Sequence, residues 1–302
     1  MVDNSFDECS IPQRKVDWYH YGGIVRSVYA EKLNGIGVKN LRFDYTLNES
    51  LTSAKGKITA ELFNSENCET ASPLTFYFDE KEVYKTSVTL SSGETKSVVC
   101  DEITVENIRL WDIGKPELYN IAVATDTDDL FDRVGFRKIE VKNETILLNN
   151  KAIEIRGVNR HEEYPDFGFA FPKALMNKDI DIILNLGCNA IRGSHYPNSK
   201  YFVDLLDSHG ILFWSEIPMW GVGFSWESLA DPVIVNRGLE MHKEMVRDYY
   251  NHPSIIIWGM HNEIDTTKET SLAITKPFYE HLRKHGGNRL ITHASNHPLY
   301  DL

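Results

Sequence analysis

Polar clusters follow short apolar segments at four places in the second half of the sequence. They occupy residues 159–162, 192–198, 215–216 and 261–263. The clearest case is residues 254–263, SIIIWGMHNE, where an apolar segment runs directly into Asn262 and Glu263. A carboxylate beside an apolar strand is partly desolvated, which favours the neutral form that can donate a proton. Glu263 is therefore the candidate general acid, and a helix cap or an ion pair is the alternative interpretation.

Three other side chains in these clusters, His161, Arg192 and His195, carry groups that could bind a polar ligand. Each of them alone is more often a structural residue at the rim of a fold. Because the clusters end four successive segments, the structural interpretation is weaker for the set than for any one member. We therefore expect these side chains to meet in one site.

The elements that must position this site alternate between strands and helices. Short apolar strands are predicted at residues 153–156, 190–192, 211–214, 255–258 and 290–292, and amphipathic helices at residues 173–186, 199–208, 232–250 and 271–285. Such a βα repeat predicts a parallel sheet. Functional groups at the carboxyl ends of the strands are typical of a (β/α)₈ barrel, and no GxGxxG motif supports a dinucleotide-binding fold.

The first half of the sequence has a different pattern. Short segments rich in β-branched and aromatic residues occupy residues 41–47, 57–63, 74–78, 83–90 and 98–105, with turn-rich stretches between them. This spacing predicts an antiparallel β-sandwich. Residues 23–33 (GIVRSVYAEKL) are also predicted to form a strand, although that segment precedes the sandwich and has no partner strand of its own.

Composition and charge exclude several classes of protein. The chain of 302 residues is 42% hydrophobic and 25% charged, as in ordinary globular proteins, and its net charge is -12. A negative surface repels phosphate backbones and anionic membranes, so we expect no nucleic-acid or membrane partner. The four cysteines form no CxxC pair, and no apolar run approaches a membrane span or a signal peptide. As written, the sequence predicts a cytoplasmic protein without a structural metal.

Four segments of the second half together resemble glycoside hydrolase family 2, which includes β-galactosidases, β-glucuronidases and β-mannosidases. They are residues 156–162 (RGVNRHE), 189–198 (NAIRGSHYPN), 212–218 (LFWSEIP) and 251–263 (NHPSIIIWGMHNE). Upstream, residues 21–29 (YGGIVRSVY) look like the last strand of the sugar-binding jelly roll of that family. Residues 110–119 and 134–139 look like the end of its immunoglobulin-like domain.

The resemblance implies three parts. Residues 1–33 would be the end of the jelly roll, and residues 34–142 an immunoglobulin-like β-sandwich. Residues 143–302 would be the N-terminal part of a (β/α)₈ TIM barrel, with about five of its eight strands. The chain would then be an internal piece of a longer enzyme.

The resemblance also implies roles for the candidate residues. Glu263 would be the acid/base of a retaining glycosidase, and Asn262 would lie beside the sugar 2-hydroxyl. The nucleophilic glutamate of the family follows a later barrel strand, so it would lie outside this chain. The chain alone is therefore expected to be inactive.

Five further positions match residues of the family. His161 and His195 would line the sugar subsite, and Arg192 would orient the nucleophile. Trp258 would be part of the subsite floor or, equally, a core aromatic residue. Glu216 matches an acidic residue of uncertain role.

Metal and cofactor are not expected. Some β-galactosidases of the family bind magnesium through the Glu and His of an ETHG motif, but residues 216–223 here are EIPMWGVG. This stretch is somewhat closer to the β-glucuronidase branch. The resemblance implies a retaining exo-β-glycosidase acting on a carbohydrate, most simply of the β-galactosidase type. The alternatives are a β-glucuronidase and an inactive carbohydrate-binding protein.

Overall fold

The computed structural model describes residues 5–225 and 227–295 of the chain. Its first part contains seven strands: β1 (Ile36–Leu47), β2 (Ser53–Asn64), β3 (Thr70–Phe78), β4 (Lys81–Leu90), β5 (Thr95–Glu106), β6 (Tyr119–Ala124) and β7 (Asp129–Val134). They form two antiparallel sheets with the strand orders β1-β2-β5 and β4-β3-β6-β7. The five strands predicted for this half are confirmed, and so is the sandwich.

The two sheets pack against each other through side chains that are buried at alternate positions along the strands. On β2, Ile58 and Leu62 are fully buried, and they share one core with Leu74 and Phe76 of β3. The two adjacent strands β1 and β2 also approach each other closely at Gly56. A Cβ at that position would lie 2.6 Å from the ring of Phe43 on β1, so only glycine fits there.

A small antiparallel sheet connects the sandwich to the rest of the chain. It consists of β8 (Ile139–Lys142), β9 (Thr145–Leu148) and β10 (Lys151–Ala152), in the order β10-β9-β8. Leu148 of this sheet packs with Trp111 and with Leu212 and Ile256 of the next part. The sequence analysis did not predict this sheet.

The second part is a parallel sheet of five strands with helices between them. The strands are β11 (Gly157–Arg160), β12 (Ala190–Gly193), β13 (Leu212–Glu216), β14 (Ile255–Asn262) and β15 (Leu290–Ala294). The helices are α1 (Lys173–Asn185), α2 (Lys200–His209), α3 (Pro232–Tyr249) and α4 (Glu269–His285). The strands lie side by side in chain order, which is the arrangement within a (β/α)₈ barrel and confirms that prediction. None of the described helices is long and apolar enough to cross a membrane.

The first strand of this sheet differs from its prediction. Residues 153–156 are not a strand, and the ladder with β12 begins at Gly157, which pairs with Ala190. The reason is local: Ile153 still donates its backbone N–H to Ile146 of the preceding sheet, so it is not free to join the barrel. Asn159 and Arg160 therefore lie within β11 and not after its end.

The predicted strand at residues 23–33 is also wrong. Residues 5–35 contain no strand, because a strand needs a hydrogen-bonded neighbour and no described strand pairs with this segment. Instead the segment runs across the barrel part. Arg26 forms an ion pair with Glu162, and Tyr21 donates a hydrogen bond to Glu163 at 2.8 Å.

Buried polar side chains join the sandwich to the amino end of β14. Arg137 donates from Nε to the carbonyl of Pro253 and from Nη2 to that of Ile255, both at 2.6 Å. Asn251 accepts the backbone N–H of Phe43 at 2.9 Å through its Oδ1. These bonds attach the amino end of the barrel sheet to the sandwich. The carboxyl ends of the same strands are therefore left to form a site.

Candidate active site

The carboxyl ends of the parallel strands bring together five of the six predicted site residues. His161 directly follows β11, and Arg192 is the next-to-last residue of β12. Asn262 is the last residue of β14, and Glu263 directly follows it. His195 lies two residues after the end of β12. Parallel strands place their carboxyl ends at one edge of the sheet. The meeting of these side chains is therefore a consequence of the sheet topology.

An ion pair between Arg192 and Glu216 organises the site. Nη2 of Arg192 lies 2.9 Å from Oε1 and 3.1 Å from Oε2 of Glu216, whose side chain is fully buried. The same Nη2 donates to Oδ1 of Asn262 at 2.6 Å. A buried carboxylate requires such pairing, because an unpaired charge would be costly in this environment. The guanidinium thus fixes both the carboxylate and the amide.

His195 is bound to the same carboxylate. Its Nδ1 lies 2.6 Å from Oε1 of Glu216. A carboxylate only accepts hydrogen bonds, so Nδ1 of His195 carries the proton and donates it. Glu216 therefore acts as a common acceptor for Arg192 and His195, and Nε2 of His195 remains for other contacts.

The side-chain amide of Asn262 is oriented by a hydrogen bond to its oxygen. Its oxygen faces Arg192, so its nitrogen must point the other way. That nitrogen, Nδ2, is buried and has no hydrogen-bond partner in the described part of the chain. A buried donor without a partner is costly in a folded protein and is expected to meet a ligand or water.

Glu263 is half-buried at the edge of this cluster. Nε1 of Trp220 donates to its Oε2 at 3.0 Å, and this is the one hydrogen bond that its carboxyl group makes to the described residues. Its backbone has a φ of 53°, in the left-handed region that non-glycine residues seldom adopt. Such a conformation at a candidate acid is typical of functional sites, where the surrounding fold maintains it.

His161 lies beside His195 with ring centroids 5.4 Å apart. Burial, together with the proximity of His195, lowers the pKa of His161 and favours its neutral form. The hydroxyl of Tyr196 lies 3.4 Å from Nδ1 of His161 and accepts the backbone N–H of Glu162 at 3.0 Å. Burial also raises the pKa of Tyr196, so its hydroxyl keeps the proton that it offers to Nδ1. Nε2 of His161 then carries the imidazole proton and can donate it to a ligand.

An indole from the N-terminal segment covers these histidines. The ring of Trp18 lies 6.0 Å from His161, 5.8 Å from His195 and 6.3 Å from Trp220, measured between centroids. Sequence reasoning missed Trp18, Tyr196 and Trp220. Trp18 is far from the other site residues in the sequence, so no spacing rule could connect it to them.

Open space borders the site at Trp18. A cavity of about 810 Å³ is lined by Trp18, His161 and Asp17, among others. Trp18 also lines a cavity of about 930 Å³, together with Tyr196 and Tyr201. Both volumes fall in the range of small-molecule sites.

Trp258 is not part of the cluster. Its side chain is fully buried in the core that β14 forms with the helices, and its Nε1 donates to the carbonyl of Gly286 at 2.9 Å. The guanidinium of Arg289 lies over its ring at 5.1 Å. These contacts are those of a core aromatic residue, the second of the two interpretations considered for it.

One group of described side chains has ligand atoms close enough to hold a metal ion, and it consists of Asp204, Asp207 and His252. It lies at the amino end of β14, away from Glu263. His252 already bonds to Oδ2 of Asp207 at 2.5 Å, and Oδ1 of Asp207 accepts the backbone N–H of Ser254. This cluster therefore belongs to the junction with the sandwich and is no candidate metal centre of the site.

Comparisons with known proteins identify the family to which the chain is similar. The family profile described as "Glycosyl hydrolases family 2, TIM barrel domain" matches residues 139–301, and "Glycosyl hydrolases family 2" matches residues 36–137. The β-galactosidase of Thermoanaerobacterium thermosulfurigenes is 30% identical over 98% of this chain and 42% of that protein. The β-glucuronidase of Bacteroides fragilis is 26% identical over 97% of this chain and 45% of that protein.

A solved structure is also similar over nearly the whole chain. The β-galacturonidase of Eisenbergiella tayi is 33% identical, with a TM-score of 0.90 over 97% of this chain and 52% of that one. The present chain therefore spans about half the length of these relatives.

Proposed function

Because the chain belongs to the glycosyl hydrolases of family 2, we propose that it is the acid/base-bearing part of a retaining exo-β-glycosidase. In this proposal Glu263 is the general acid and base, and Asn262 binds the 2-hydroxyl of the terminal sugar. His161 and His195 contact other hydroxyl groups. Arg192 and Glu216 position the side chains that touch the sugar.

The observation that carries the proposal is the pair Asn262 and Glu263. Asn262 presents a buried amide nitrogen without a partner among the described residues, and Glu263 presents a half-buried carboxyl group with one oxygen bound by Trp220. Cleavage of a glycosidic bond requires a proton-transfer group next to a group that forms hydrogen bonds to the sugar hydroxyls. Hydrogen bonds to the 2-hydroxyl strengthen as the oxocarbenium-like transition state forms.

The proposed reaction has two steps. First, Glu263 protonates the glycosidic oxygen while the bond from that oxygen to the anomeric carbon breaks and a carboxylate nucleophile bonds to that carbon. Second, Glu263 takes a proton from water as the water oxygen attacks the anomeric carbon and releases the nucleophile. The two carboxyl groups must lie about 5 to 5.5 Å apart for this retaining mechanism.

Glu216 is a poor candidate for the nucleophile. It is fully buried, and Arg192 and His195 bind its oxygens. Such bonds stabilise the anion and lower its readiness to attack carbon. The proposal therefore keeps the nucleophile on a later barrel strand, as the resemblance to the family implies.

The sugar is proposed as a β-galactoside, with a β-linked hexuronic acid as the second candidate. The relative from T. thermosulfurigenes is a β-galactosidase, which supports the first. The relatives from B. fragilis and E. tayi are a β-glucuronidase and a β-galacturonidase, which supports the second.

The test is a hydrolysis assay with p-nitrophenyl β-galactoside, β-glucuronide and β-galacturonide. It uses the 302-residue chain and the longest polypeptide that its reading frame encodes. We expect the longer protein to hydrolyse one of these substrates and Glu263→Gln to abolish that hydrolysis, with the short chain at background. Glu240→Gln, a change at an exposed carboxylate on α3, is the matched control and should keep full activity.

Sugar binding without hydrolysis would overturn the proposal. If the longer protein turns over none of the three substrates while calorimetry detects binding of the free sugars, the chain is part of a carbohydrate-binding protein. Hydrolysis that survives Glu263→Gln would instead remove Glu263 from the acid/base role.

A further inference from the structure

Trp220 lies on the loop after β13, and its indole meets the candidate acid. The residue is 3% exposed, and its Nε1 lies 3.0 Å from Oε2 of Glu263. The loop is tied to the end of β14 by its backbone as well, because Asn262 donates its N–H to the carbonyl of Met219 at 2.8 Å. Trp220 itself pairs with Asn262 as an isolated parallel bridge. The backbone of the loop is thus attached to the end of β14 at the point where the indole meets the carboxyl group.

The backbone of Glu263 is held from both sides. On one side its N–H donates to the carbonyl of Ala294 at 2.7 Å. On the other side Gly221 approaches so closely that a Cβ there would lie 2.4 Å from the carbonyl oxygen of Glu263. The left-handed conformation of a non-glycine residue costs about 1 to 2 kcal/mol, so these contacts must maintain it. The loop and β15 together thus hold the backbone of the glutamate.

We infer that Trp220 is a positioning residue for Glu263: its indole N–H occupies Oε2 and leaves Oε1 as the oxygen that exchanges the proton. This inference rests on the proposed function, because it assigns one atom of the proposed acid/base. An indole N–H can donate but cannot accept a hydrogen bond. The carbonyl oxygen of a carboxylic acid is a stronger acceptor than its hydroxyl oxygen, so the N–H favours Oε2 as the carbonyl oxygen and Oε1 as the oxygen that carries the acidic proton.

The same bond remains in place through both steps of the proposed reaction and favours the first. In the first step the O–H bond at Oε1 breaks, the proton passes to the glycosidic oxygen, and the carboxyl group becomes an anion. A hydrogen bond to an anion is stronger than one to a neutral acceptor, so Trp220 stabilises the form that is produced. In the second step the proton of the attacking water returns to Oε1, and the N–H remains on Oε2.

The substitution Trp220→Phe removes the N–H and keeps an aromatic ring against Trp18. The matched control is Trp111→Phe, because Trp111 is fully buried and its Nε1 donates to the carbonyl of Asp207 at 2.8 Å, far from Glu263. Both variants lose one buried indole hydrogen bond. They therefore separate a loss of stability from a loss of acid positioning.

The first measurement is the leaving-group dependence of kcat and KM in the full-length enzyme. For Trp220→Phe we expect kcat to fall roughly 10- to 100-fold on alkyl glycosides and only a few-fold on dinitrophenyl glycosides, because only the poor leaving group needs protonation. KM should change little. Trp111→Phe should lose thermal stability without any leaving-group dependence. Equal losses on both substrate classes, or no loss, would overturn the inference.

The second measurement observes the hydrogen bond itself in the 302-residue chain. The sequence has six tryptophans, and the ¹⁵N–¹H indole signal of Trp220 is identified by its absence in Trp220→Phe. We expect this signal to move with pH in a step that disappears in Glu263→Gln. His161 and His195 can also shift it through Trp18, so a step that remains in Glu263→Gln belongs to them.

This second measurement separates the inference from the proposed function. A Trp220 signal without a step dependent on Glu263 would overturn the inference even in an active enzyme. A clear step in a full-length protein that hydrolyses no glycoside would support the hydrogen bond and overturn the proposed function.

Discussion

The two ends of the parallel sheet contain buried polar groups of different kinds. At the amino end, the guanidinium groups of Arg137 and Arg289 donate to main-chain carbonyls, including that of Ile255, which both of them bind. At the carboxyl end, Arg192 donates to the side chains of Glu216 and Asn262. A carbonyl of the main chain has a fixed place, whereas a side chain can in turn present other atoms to a ligand.

Burial acts differently on the charges at the two ends. At the amino end, burial and the charge of the nearby Arg137 together lower the pKa of Arg289 to about 9. No carboxylate is bonded to either guanidinium among the described residues. At the carboxyl end a charged partner, Glu216, balances Arg192. The contacts at the amino end are structural, and the proposed function assigns binding and proton transfer to the carboxyl end, as is usual in such barrels.

The largest effect is expected at the carboxyl end, for Glu263→Ala in the full-length enzyme. Hydrolysis of glycosides with poor leaving groups should fall by about 10²- to 10⁴-fold, while activated aryl glycosides should be affected much less in their first step. Azide should partly restore turnover, since it attacks the anomeric carbon without needing a general base. A uniform loss without azide rescue would contradict the acid/base role.

At the amino end, Arg137→Met should reduce stability and leave the site unchanged. It removes the Arg137 donor from the buried carbonyl of Pro253, whereas the carbonyl of Ile255 keeps the bond from Nε of Arg289. An unsatisfied buried acceptor costs about 1 to 3 kcal/mol, so we expect a loss of about that size in the free energy of unfolding. Urea denaturation measures this loss. A change in KM for the folded enzyme would show that the two ends are coupled.

The pH dependence of stability provides a third test, at His252. Burial acts to lower the pKa of His252, but the charge of Asp207 and its hydrogen bond outweigh burial and raise the pKa above its usual value. The folded state therefore binds the proton more tightly than the unfolded state, in which the pKa is about 6.5. The resulting stability is complete below that pH and is lost as the pH rises through the folded-state pKa.

The variant His252→Asn isolates this contribution, since it keeps a neutral donor for Asp207. The difference in unfolding free energy between wild type and variant should be largest near pH 5.5 and should shrink toward pH 8.5, by about 1.4 kcal/mol for each unit of pKa difference. Denaturation at several pH values measures it. A difference that grows with pH would mean that His252 is neutral in the folded protein.

The smallest effect is expected for Trp258→Phe, which tests the assignment of this residue to the core. The variant loses one hydrogen bond, to Gly286, and should be destabilised by about 1 kcal/mol. Affinity for the sugar should not change. A substantial rise in KM with unchanged stability would return Trp258 to the subsite.

Much of the fold was predictable from local patterns. The helices α1 to α4 and the strands β12 to β15 follow from apolar periodicity and from glycine or proline at their ends. The strand at residues 153–156 was misplaced because apolar content does not tell which neighbour a segment pairs with. The strand at residues 23–33 failed for the same reason, since its alternating pattern has no partner among the described strands.

The candidate site was predictable only in part. The sequence places His161, Arg192, Asn262 and Glu263 at strand ends, so their meeting follows from the topology of a parallel sheet. The sequence could not show that Nδ2 of Asn262 has no hydrogen-bond partner among the described residues. That depends on Arg192 binding the oxygen of the amide and not its nitrogen. The roles of the site residues stay predictions until the variants are measured.

The sequence by itself determined which residues are candidates for chemistry, the order of the elements and the family to which they are similar. These properties are local, because they depend on residue type and on spacings of a few positions. Only the tertiary structure decided that Trp18 covers the histidines, that Trp220 binds Glu263 and that Trp258 is a core residue. Each of these three depends on contacts between segments 28 or more residues apart, whose geometry no local pattern encodes.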